Sequence, residues 1–437
     1  MNPLSSNAVP VRVGLLGCGN VGASFVQLID ARRADIAKRT GLDLEVTRIA
    51  VRSITKDRPV AIDQALFTTD AASVVHDPDV DLVVEVIGGI EPARELILDA
   101  LKAGKPVITG NKELLANHGT ELFAAADTAG VDLLFEAAVA GGIPLMRPLR
   151  ESLLGEPINR VMGIVNGTTN YILTRMTEAG ASYADALAEA QQLGYAERDP
   201  TADVEGYDAG AKIAIIAMIA FGARVVAGDV YHEGISGITE SDIAVASRLG
   251  YRIKLLGVAE LFGDEDHPEV AVRVHPAMVP VQHPLAAVRD SFNAVFIEGS
   301  AVGDLMLYGR GAGGLPTASA VLGDVTDAAM NLRQGTHAAI GQFARIPIRS
   351  IDELSSAFYL SVEVADRPGV LARVADAFGR HGVSIRSMEQ EGLGTEARLL
   401  FITHLATERD VRATLRELRE LDVVDRIGSV LRVVGQD

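Results

Sequence analysis

At 437 residues the chain is long enough for about three domains of ordinary size. Hydrophobic residues make up 48% and charged residues 22%, a balance that excludes a disordered or fibrous chain and predicts a folded one. The formal net charge of −18 argues against nucleic acid as a partner, because binding a phosphate backbone draws on clustered Lys and Arg.

The longest apolar candidate, Ile213 to Phe221, falls well short of the ~18–20 residues of a bilayer span, so no membrane partner is expected. Met1 to Pro10 is polar, lacks the layout of a signal peptide and reads as a short disordered lead. The single cysteine, Cys18, cannot form an internal disulfide, which agrees with a reducing compartment. The expectation is a soluble, cytoplasmic enzyme.

From Val11 onward, short apolar runs alternate with helical patterns. Val11 to Leu16, Val46 to Val51, Leu82 to Ile87, Pro106 to Thr109 and Leu133 to Ala137 read as strands. Gly22 to Arg39, Ala93 to Ala103 and Glu113 to Ala129 read as helices between them. This rhythm predicts an α/β fold, a Rossmann-type doubly wound parallel sheet over residues 1–140.

Within it, Gly17-Cys18-Gly19-Asn20-Val21-Gly22 matches G-x-G-x-x-G between a strand and a helix, the place a dinucleotide pyrophosphate requires. Gly17 allows the tight turn, Gly19 the close approach of backbone to phosphate, and Gly22 the packing of helix on strand. Gly17, Gly19, Asn20, Val21 and Gly22 are therefore cofactor-binding candidates. The second strand ends Ala50-Val51-Arg52-Ser53, where an acidic residue would favour NAD. Arg52 suits a 2′-phosphate instead, with Ser53 as a second donor, so NADP is expected and NAD is the alternative.

After Gly141-Gly142-Ile143-Pro144 the pattern becomes α+β over residues 141–309. Helices are expected at Tyr183 to Leu193, Gly206 to Ala223 and Glu240 to Gly250, with strands at Ile253 to Ala259, Glu269 to His275 and Ala294 to Glu298. Such a domain commonly supplies substrate contacts and subunit interfaces. A glycine cluster, Gly309 to Gly314, precedes an Ala-rich helix that returns to the first domain over about 310–340.

Five acids and a lysine precede an otherwise apolar helix in the stretch Gly194 to Lys212. If that helix starts near Gly206, Asp208 and Lys212 share one face. A lysine held by an aspartate can deliver a proton to a carbonyl oxygen as hydride arrives at carbon, and Glu197 and Asp203 can take an α-amino group. The bland alternative is an exposed i,i+4 ion pair worth about 0.3–0.5 kcal/mol.

Three strings carry a family resemblance: Gly194 to Lys212, Thr109-Gly110-Asn111-Lys112, and Val165-Asn166-Gly167-Thr168-Thr169-Asn170-Tyr171-Ile172-Leu173. Together they resemble homoserine dehydrogenase, over about Val11 to Arg345. The resemblance implies NAD(P)H-dependent interconversion of L-aspartate 4-semialdehyde and L-homoserine, in the branch towards threonine and methionine. It makes Lys212 the proton donor and places Asp208 beside it to orient substrate. It further implies Glu197 on the amino group, Asp203 as a second substrate contact and Lys112 near nicotinamide and substrate. Gly194 is a further cofactor-binding candidate, as is Gly314 in the return segment Gly309 to Thr317, which reads either as backbone near the cofactor or as a plain glycine-rich hinge.

Asn166 to Leu173 also reads as a packing turn with capping threonines. Phe135 to Pro144 resembles the family's monovalent-cation site, in which Glu136 and the backbone carbonyls at Val139, Gly141 and Ile143 would hold Na⁺ or K⁺. A homodimer or homotetramer is implied as well.

Ile346 to Ser356 reads as a connector, within a linker spanning 341–356. Over 357–437 the order is βαββαβ: strand Tyr359 to Ala365, helix Val370 to His381, strands Ile385 to Gln390 and Ala397 to Thr403, helix Glu408 to Glu420 and strand Val430 to Val434. That predicts a ferredoxin-like module. Val364-Ala365-Asp366-Arg367-Pro368-Gly369-Val370-Leu371 is similar to the loop of an ACT domain. The similarity implies an amino-acid effector, threonine as the branch product, at Asp366, Pro368 and Gly369.

Three alternatives fit the residues less well. Aspartate-semialdehyde dehydrogenase uses a cysteine nucleophile, and Cys18 is committed to the phosphate loop. A catalytically silent sensor has no use for Lys212, Asp208 and Lys112 together. A fusion to aspartate kinase needs a kinase-sized segment that is not expected ahead of Val11.

Overall fold

A computed structural model of the chain describes residues 8–58, 60–341, 343–392 and 396–435. By its internal contacts the chain divides into two compact units. One is Met1–Val161 with Ala211–Asp229 and Asn293–Ile346; the other is Met162–Gly210 with Val230–Phe292 and Pro347–Asp437.

The first unit opens with β1 (Val9–Leu16), α1 (Asn20–Thr40), β2 (Leu42–Ala50), β3 (Phe67–Thr68), α2 (Ala71–Val75), β4 (Leu82–Glu85), α3 (Ala93–Lys102), β5 (Val107–Thr109), α4 (Lys112–Ala129) and β6 (Leu133–Leu134). Of the lead expected at Met1 to Pro10, Met1 to Asn7 lie outside the described residues. Val9 and Pro10 correct that reading, because they pair with Leu42 and Asp43 and begin β1. The strand expected at Leu133 to Ala137 is also shorter: β6 ends at Leu134, and after Phe135 the segment Glu136–Ala138 turns into a 3-10 helix.

The strand order is β3-β2-β1-β4-β5-β6, with every pair parallel. The order reverses beside β1, which opens a crevice at the carboxyl ends of β1 and β4. Runs such as Leu82–Val84 are fully buried, as strands covered by helices on both faces must be. Helix α1 stops where Gly41, at φ 73°, takes the left-handed cap after Lys38 and Arg39 in the last turn.

Further along come β7 (Ile158–Ile164), α5 (Gly167–Ala179), α6 (Tyr183–Gln192), α7 (Thr201–Val204), α8 (Tyr207–Phe221), β8 (Tyr231–His232), α9 (Glu240–Arg248), β9 (Tyr251–Phe262), β10 (Glu269–Pro280), β11 (Phe292–Gly299), β12 (Gly303–Arg310) and α10 (Gly314–Gln334). In the first unit, β12, β11 and β7 are neighbours in that order. Helix α10 buries Val321, Val325 and Ala328 in the same core as Phe25 and Ile29 of α1. The return segment is therefore part of the dinucleotide fold's packing, and each large apolar side chain buried there contributes about 1.5–3 kcal/mol.

The chain ends with β13 (Ser355–Ala365), α11 (Val370–Arg380), β14 (Ile385–Gly392), β15 (Glu396–Thr403), β16 (Ala406–Thr407), α12 (Glu408–Glu420) and β17 (Val424–Val433). In the second unit the strands run β9-β10-β17-β13-β15-β14. The last four form an antiparallel ferredoxin-like sheet. Its core joins Leu360, Val362, Leu399 and Phe401 to Val374, Phe378, Leu415 and Leu418 of α11 and α12. Strand β17 also pairs in parallel with β10, Ala277 opposite Arg432 and Met278 opposite Val433, which seats this module on the rest of the unit. Among the described residues no helix is long and apolar enough to cross a membrane.

Candidate active site

At the β1–α1 turn, Gly17 has φ 97°, and a Cβ there would stand 2.7 Å from the carbonyl oxygen of Val86. A Cβ at Gly22 would run into the carbonyl of Gly17, whereas Gly19, the cap of α1, has open space around it. Two glycines are thus demanded by the protein's own packing and one leaves room for a ligand, at the amino end of a 21-residue helix. Asn20 and Val21 form the first turn of that helix. Gly314 packs on the same turn: a Cβ there would lie 2.6 Å from Ser24 Oγ and 3.2 Å from the carbonyl of Asn20.

Arg52 is exposed, two residues beyond the end of β2, whose Ala50 carbonyl accepts from the Gly17 N–H at 2.9 Å. Ser53 is exposed as well, with its hydroxyl 3.2 Å from that of Thr55. A second guanidinium, missed in the sequence, belongs to Arg58. It stacks over Phe67 at 4.3 Å and donates to the carbonyl of Ser53 at 2.9 Å. Burial raises the Cys18 thiol, partly offset by Arg58, so this buried cysteine carries no activated nucleophile.

The carboxyl ends of β4 and β5 hold a second constellation. Thr109 Oγ1 donates to Glu85 at 2.6 Å, and the other Glu85 oxygen accepts from the N–H of Ile87 at 2.7 Å and of Gly88 at 3.2 Å. Asn111 donates to the carbonyl of Gly89 at 2.6 Å and caps α4 by accepting from Leu114 N at 3.1 Å. Lys112 follows as the first residue of α4 and is half-buried. A wholly buried carboxylate, Glu85, thus fixes the loop ends that present Lys112.

In the expected cation turn, Ala140 (φ 53°) and Gly141 (φ 36°) both take left-handed backbone. The Glu136 carboxylate accepts from the backbone N–H groups of Leu145, Met146 (2.7 Å) and Arg147 (2.9 Å). The Glu136 N–H in turn donates to Asp324 at 2.8 Å. Burial, and then the nearby Glu136, push the Asp324 carboxyl up to about 7.

In the second unit, Asn166 is the N-cap of α5, its Oδ1 accepting from Thr169 N at 2.9 Å. This corrects the reading of a turn capped by threonines: Thr168 and Thr169 lie inside the first helical turn, and the cap is the asparagine. The same Asn166 donates from Nδ2 to Asp203 at 2.6 Å and to Asp208 at 2.9 Å. Two carboxylates that would repel are thereby held together by one buried amide.

Thr168 Oγ1 donates to the carbonyl of Tyr195 at 2.7 Å, and the Tyr171 and Tyr195 rings stand 5.0 Å apart, which ties α5 to the turn containing Gly194. Gly194 and Glu197 are exposed in that turn. Gly206, at φ 85°, joins α7 to α8 where a side chain would strike Val274. Helix α8 then begins at Tyr207, so Asp208 sits in its first turn with Lys212 one turn on, both half-buried ahead of the buried run Ile213–Met218.

Lys254 was also missed, and Asn170 stood in the sequence only as part of the Val165 to Leu173 string, with no role of its own. Asn170 Nδ2 donates to the carbonyls of Asp290 (2.9 Å) and Phe292 (3.2 Å), and its Oδ1 accepts from the Lys254 ammonium at 3.0 Å. Lys254 also donates to the carbonyl of Val288 at 2.5 Å. Burial lowers its ammonium to about 8.

In the C-terminal module the β13–α11 loop, Val364 to Leu371, faces Gln390 and Leu399 across a cavity of about 450 Å³. Asp366, Pro368 and Gly369 all line it, and Gly369 caps α11 with φ 88°.

A parallel sheet of this order with a glycine turn at its switch point is a dinucleotide-binding fold, and the family matches make the class an NAD(P)-dependent oxidoreductase, here carrying a C-terminal ACT domain. The family follows from comparison. Residues 17–136 match the homoserine dehydrogenase NAD-binding domain, 144–326 match homoserine dehydrogenase, and 358–423 match the ACT domain. The homoserine dehydrogenase of Corynebacterium glutamicum is 51% identical over 434 residues, covering 99% of this chain and 97% of that one.

A crystal structure of a homoserine dehydrogenase from Thiobacillus denitrificans superposes with a TM-score of 0.90 at 41% identity, covering 98% of this chain and 99% of that one. A hyperthermophilic archaeal homoserine dehydrogenase in complex with NADPH gives 0.63 at 28% identity, over 74% of this chain and 98% of that one. The chain belongs to the homoserine dehydrogenase family.

Proposed function

We propose that the chain reduces L-aspartate 4-semialdehyde to L-homoserine, reversibly, with NADPH. The observation that carries this reading is the Asn166 amide bracing Asp203 and Asp208 at the mouth of α8, with Lys212 one turn further on. NADPH, when bound, supplies the hydride. Lys212 holds a proton at the substrate's carbonyl oxygen and stabilises the charge that develops there. Asp208 orients the substrate beside that ammonium. Asp203 and Glu197 take the substrate's α-ammonium, and Lys112 supplies positive charge at the carboxyl end of β5.

NADP over NAD is supported by Arg52 where an acid would select the free ribose, by Arg58 close behind it, and by the NADPH held by the archaeal relative. We assign to Na⁺ or K⁺ the turn at Glu136, Val139, Gly141 and Ile143. With three N–H groups already on the Glu136 carboxylate, carbonyl oxygens would do most of the holding, which suits a hard monovalent ion.

Residues 1–140 with 310–340 serve the cofactor, 141–309 the substrate and dimerisation, and 357–437 regulation, after a linker at 341–356. Threonine is the proposed effector, in the cavity at Asp366, Pro368 and Gly369, and the assembly a homodimer or homotetramer. The test is NADPH oxidation by the purified protein with aspartate semialdehyde, repeated with NADH and with added threonine. Turnover that favours NADPH and falls with threonine is expected; no turnover with either cofactor rejects the reading.

A further inference from the structure

Strand β8, Tyr231–His232, lies beside β10, and the C-terminal strand β17 lies on β10 as well. From β17 the Arg432 side chain, 5% exposed, reaches Glu233 directly after β8 and grips it in a fork, Nη1 to Oε2 at 2.8 Å and Nη2 to Oε1 at 3.0 Å. Arg432 Nε donates to the buried Glu408 of α12, and the guanidinium lies over the rings of Tyr231 and Phe358. Tyr231 donates its hydroxyl proton to Glu233 at 2.5 Å and accepts from Arg412 at 3.1 Å, and Arg412 also holds Asp352 at 2.6 Å. Burial opposes the charge on Glu233, but the hydrogen bonds and charge of Arg432 outweigh it and hold the carboxyl below its ordinary value.

On the far side of Glu233 the chain rests on the acidic segment. The Ile235 N–H donates to the carbonyl of Val204 at 2.8 Å. Gly234 fits so closely over Val204 and Glu205 that a Cβ would meet the Val204 carbonyl at 2.5 Å. Val204 follows Asp203, the carboxylate that Asn166 binds together with Asp208.

We propose that Arg432, from the C-terminal module, is a positioning residue for the acidic segment: through Glu233 it fixes the Gly234–Ile235 turn that seats Val204 and Glu205, and so sets where Asp203 stands. A planar fork that meets two carboxylates and two aromatic faces is fixed in orientation in a way a single ammonium is not. Removing Arg432 leaves the buried Glu408 without its close partner and frees the partly exposed Glu233 from the fork, so the turn is no longer pinned in one place. The proposal rests on the reading of Asp203 and Asp208 as substrate contacts.

The test uses the full-length protein with Arg432→Met, Arg432→Lys and Glu233→Gln, and the Arg432→Met/Glu233→Gln double variant. Glu233→Gln keeps the shape and covers the case in which Arg432→Met fails to fold. The expected result is a KM for aspartate semialdehyde raised about tenfold by Arg432→Met and about fivefold by Glu233→Gln, with kcat and the KM for NADPH near wild type. Arg432→Lys recovers part of the loss, and the double variant is no worse than Arg432→Met, because the pair acts as one unit.

Hydrogen exchange gives an independent reading: the Ile235 amide exchanges faster in both single variants. Folded Glu233→Gln protein with wild-type substrate KM and wild-type exchange at Ile235 overturns the proposal. If the wild type turns over no semialdehyde, the functional reading fails by itself, and faster or unchanged exchange at Ile235 still decides whether Arg432 positions this segment.

Discussion

The amide nitrogen of Asn166 stands 2.9 Å from a carboxylate oxygen of Asp208, although 42 positions of sequence separate the two residues. The same nitrogen reaches Asp203 at 2.6 Å, and the amide oxygen caps α5. One side chain therefore fixes a helix start and a pair of carboxylates. Asn166→Ala should lower kcat/KM by about a hundredfold, equivalent to about 2.7 kcal/mol. It should also lower thermal stability through loss of a cap worth about 1 kcal/mol. Asn166→Asp separates the two effects: an aspartate still caps, so stability is kept, but a third carboxylate beside Asp203 and Asp208 removes activity all the same.

Gly314→Ala should weaken cofactor binding, because the new methyl meets Ser24 Oγ at 2.6 Å in the helix that begins at the glycine turn. Adding Ser24→Ala removes that oxygen and should restore part of the affinity. Titration of NADPH against the two single variants and the double variant checks this; equal affinity in wild type and Gly314→Ala would show that the contact relaxes without disturbing the turn.

Arg52 lies exposed two residues beyond the end of β2, where the proposed reading puts the adenine ribose. Arg52→Asp should shift the ratio of kcat/KM for NADPH over NADH by roughly tenfold to a hundredfold towards NADH, since it removes a partner for a 2′-phosphate and supplies one for a 2′-hydroxyl. An unchanged ratio would assign the discrimination to Arg58.

Burial lowers the Lys254 ammonium to about 8 from its ordinary 10.5, and this sets the sign of a pH effect. Below about 8 the folded and unfolded chains both hold the proton, and the cost of burying the charge is constant. Between about 8 and 10.5 only the unfolded chain holds it, so this residue's contribution to stability improves as pH rises. Denaturant unfolding of wild type and Lys254→Met across that range should show the difference moving in the wild type's favour by up to about 3 kcal/mol. A constant difference would place the Lys254 titration outside the range.

Much of this was legible in the sequence, because periodicity and glycine spacing are local signals. The βαβ rhythm, the Gly17–Gly22 turn and the βαββαβ order of the C-terminal module all follow from patterns a few residues long. What escaped is non-local. Glu85 ends an apolar strand like any exposed acid would, and its role appears only when Thr109, 24 positions on, donates to it. The two-residue strand β8 has no period to detect, yet it carries the chain into Glu233 and the fork of Arg432, 199 positions away. The start of α5 was hidden by threonines that also favour turns, so the capping asparagine and its second task were not separable in the string.

Lys212→Ala, assayed for NADPH-dependent reduction of aspartate semialdehyde, bears most directly on the claim that α8 delivers the proton. The account predicts a loss of about a thousandfold or more in kcat, little change in NADPH binding, and partial recovery with added methylammonium, which restores a proton donor in the space the side chain leaves. A variant that turns over within about tenfold of wild type would place the proton donor elsewhere and contradict it.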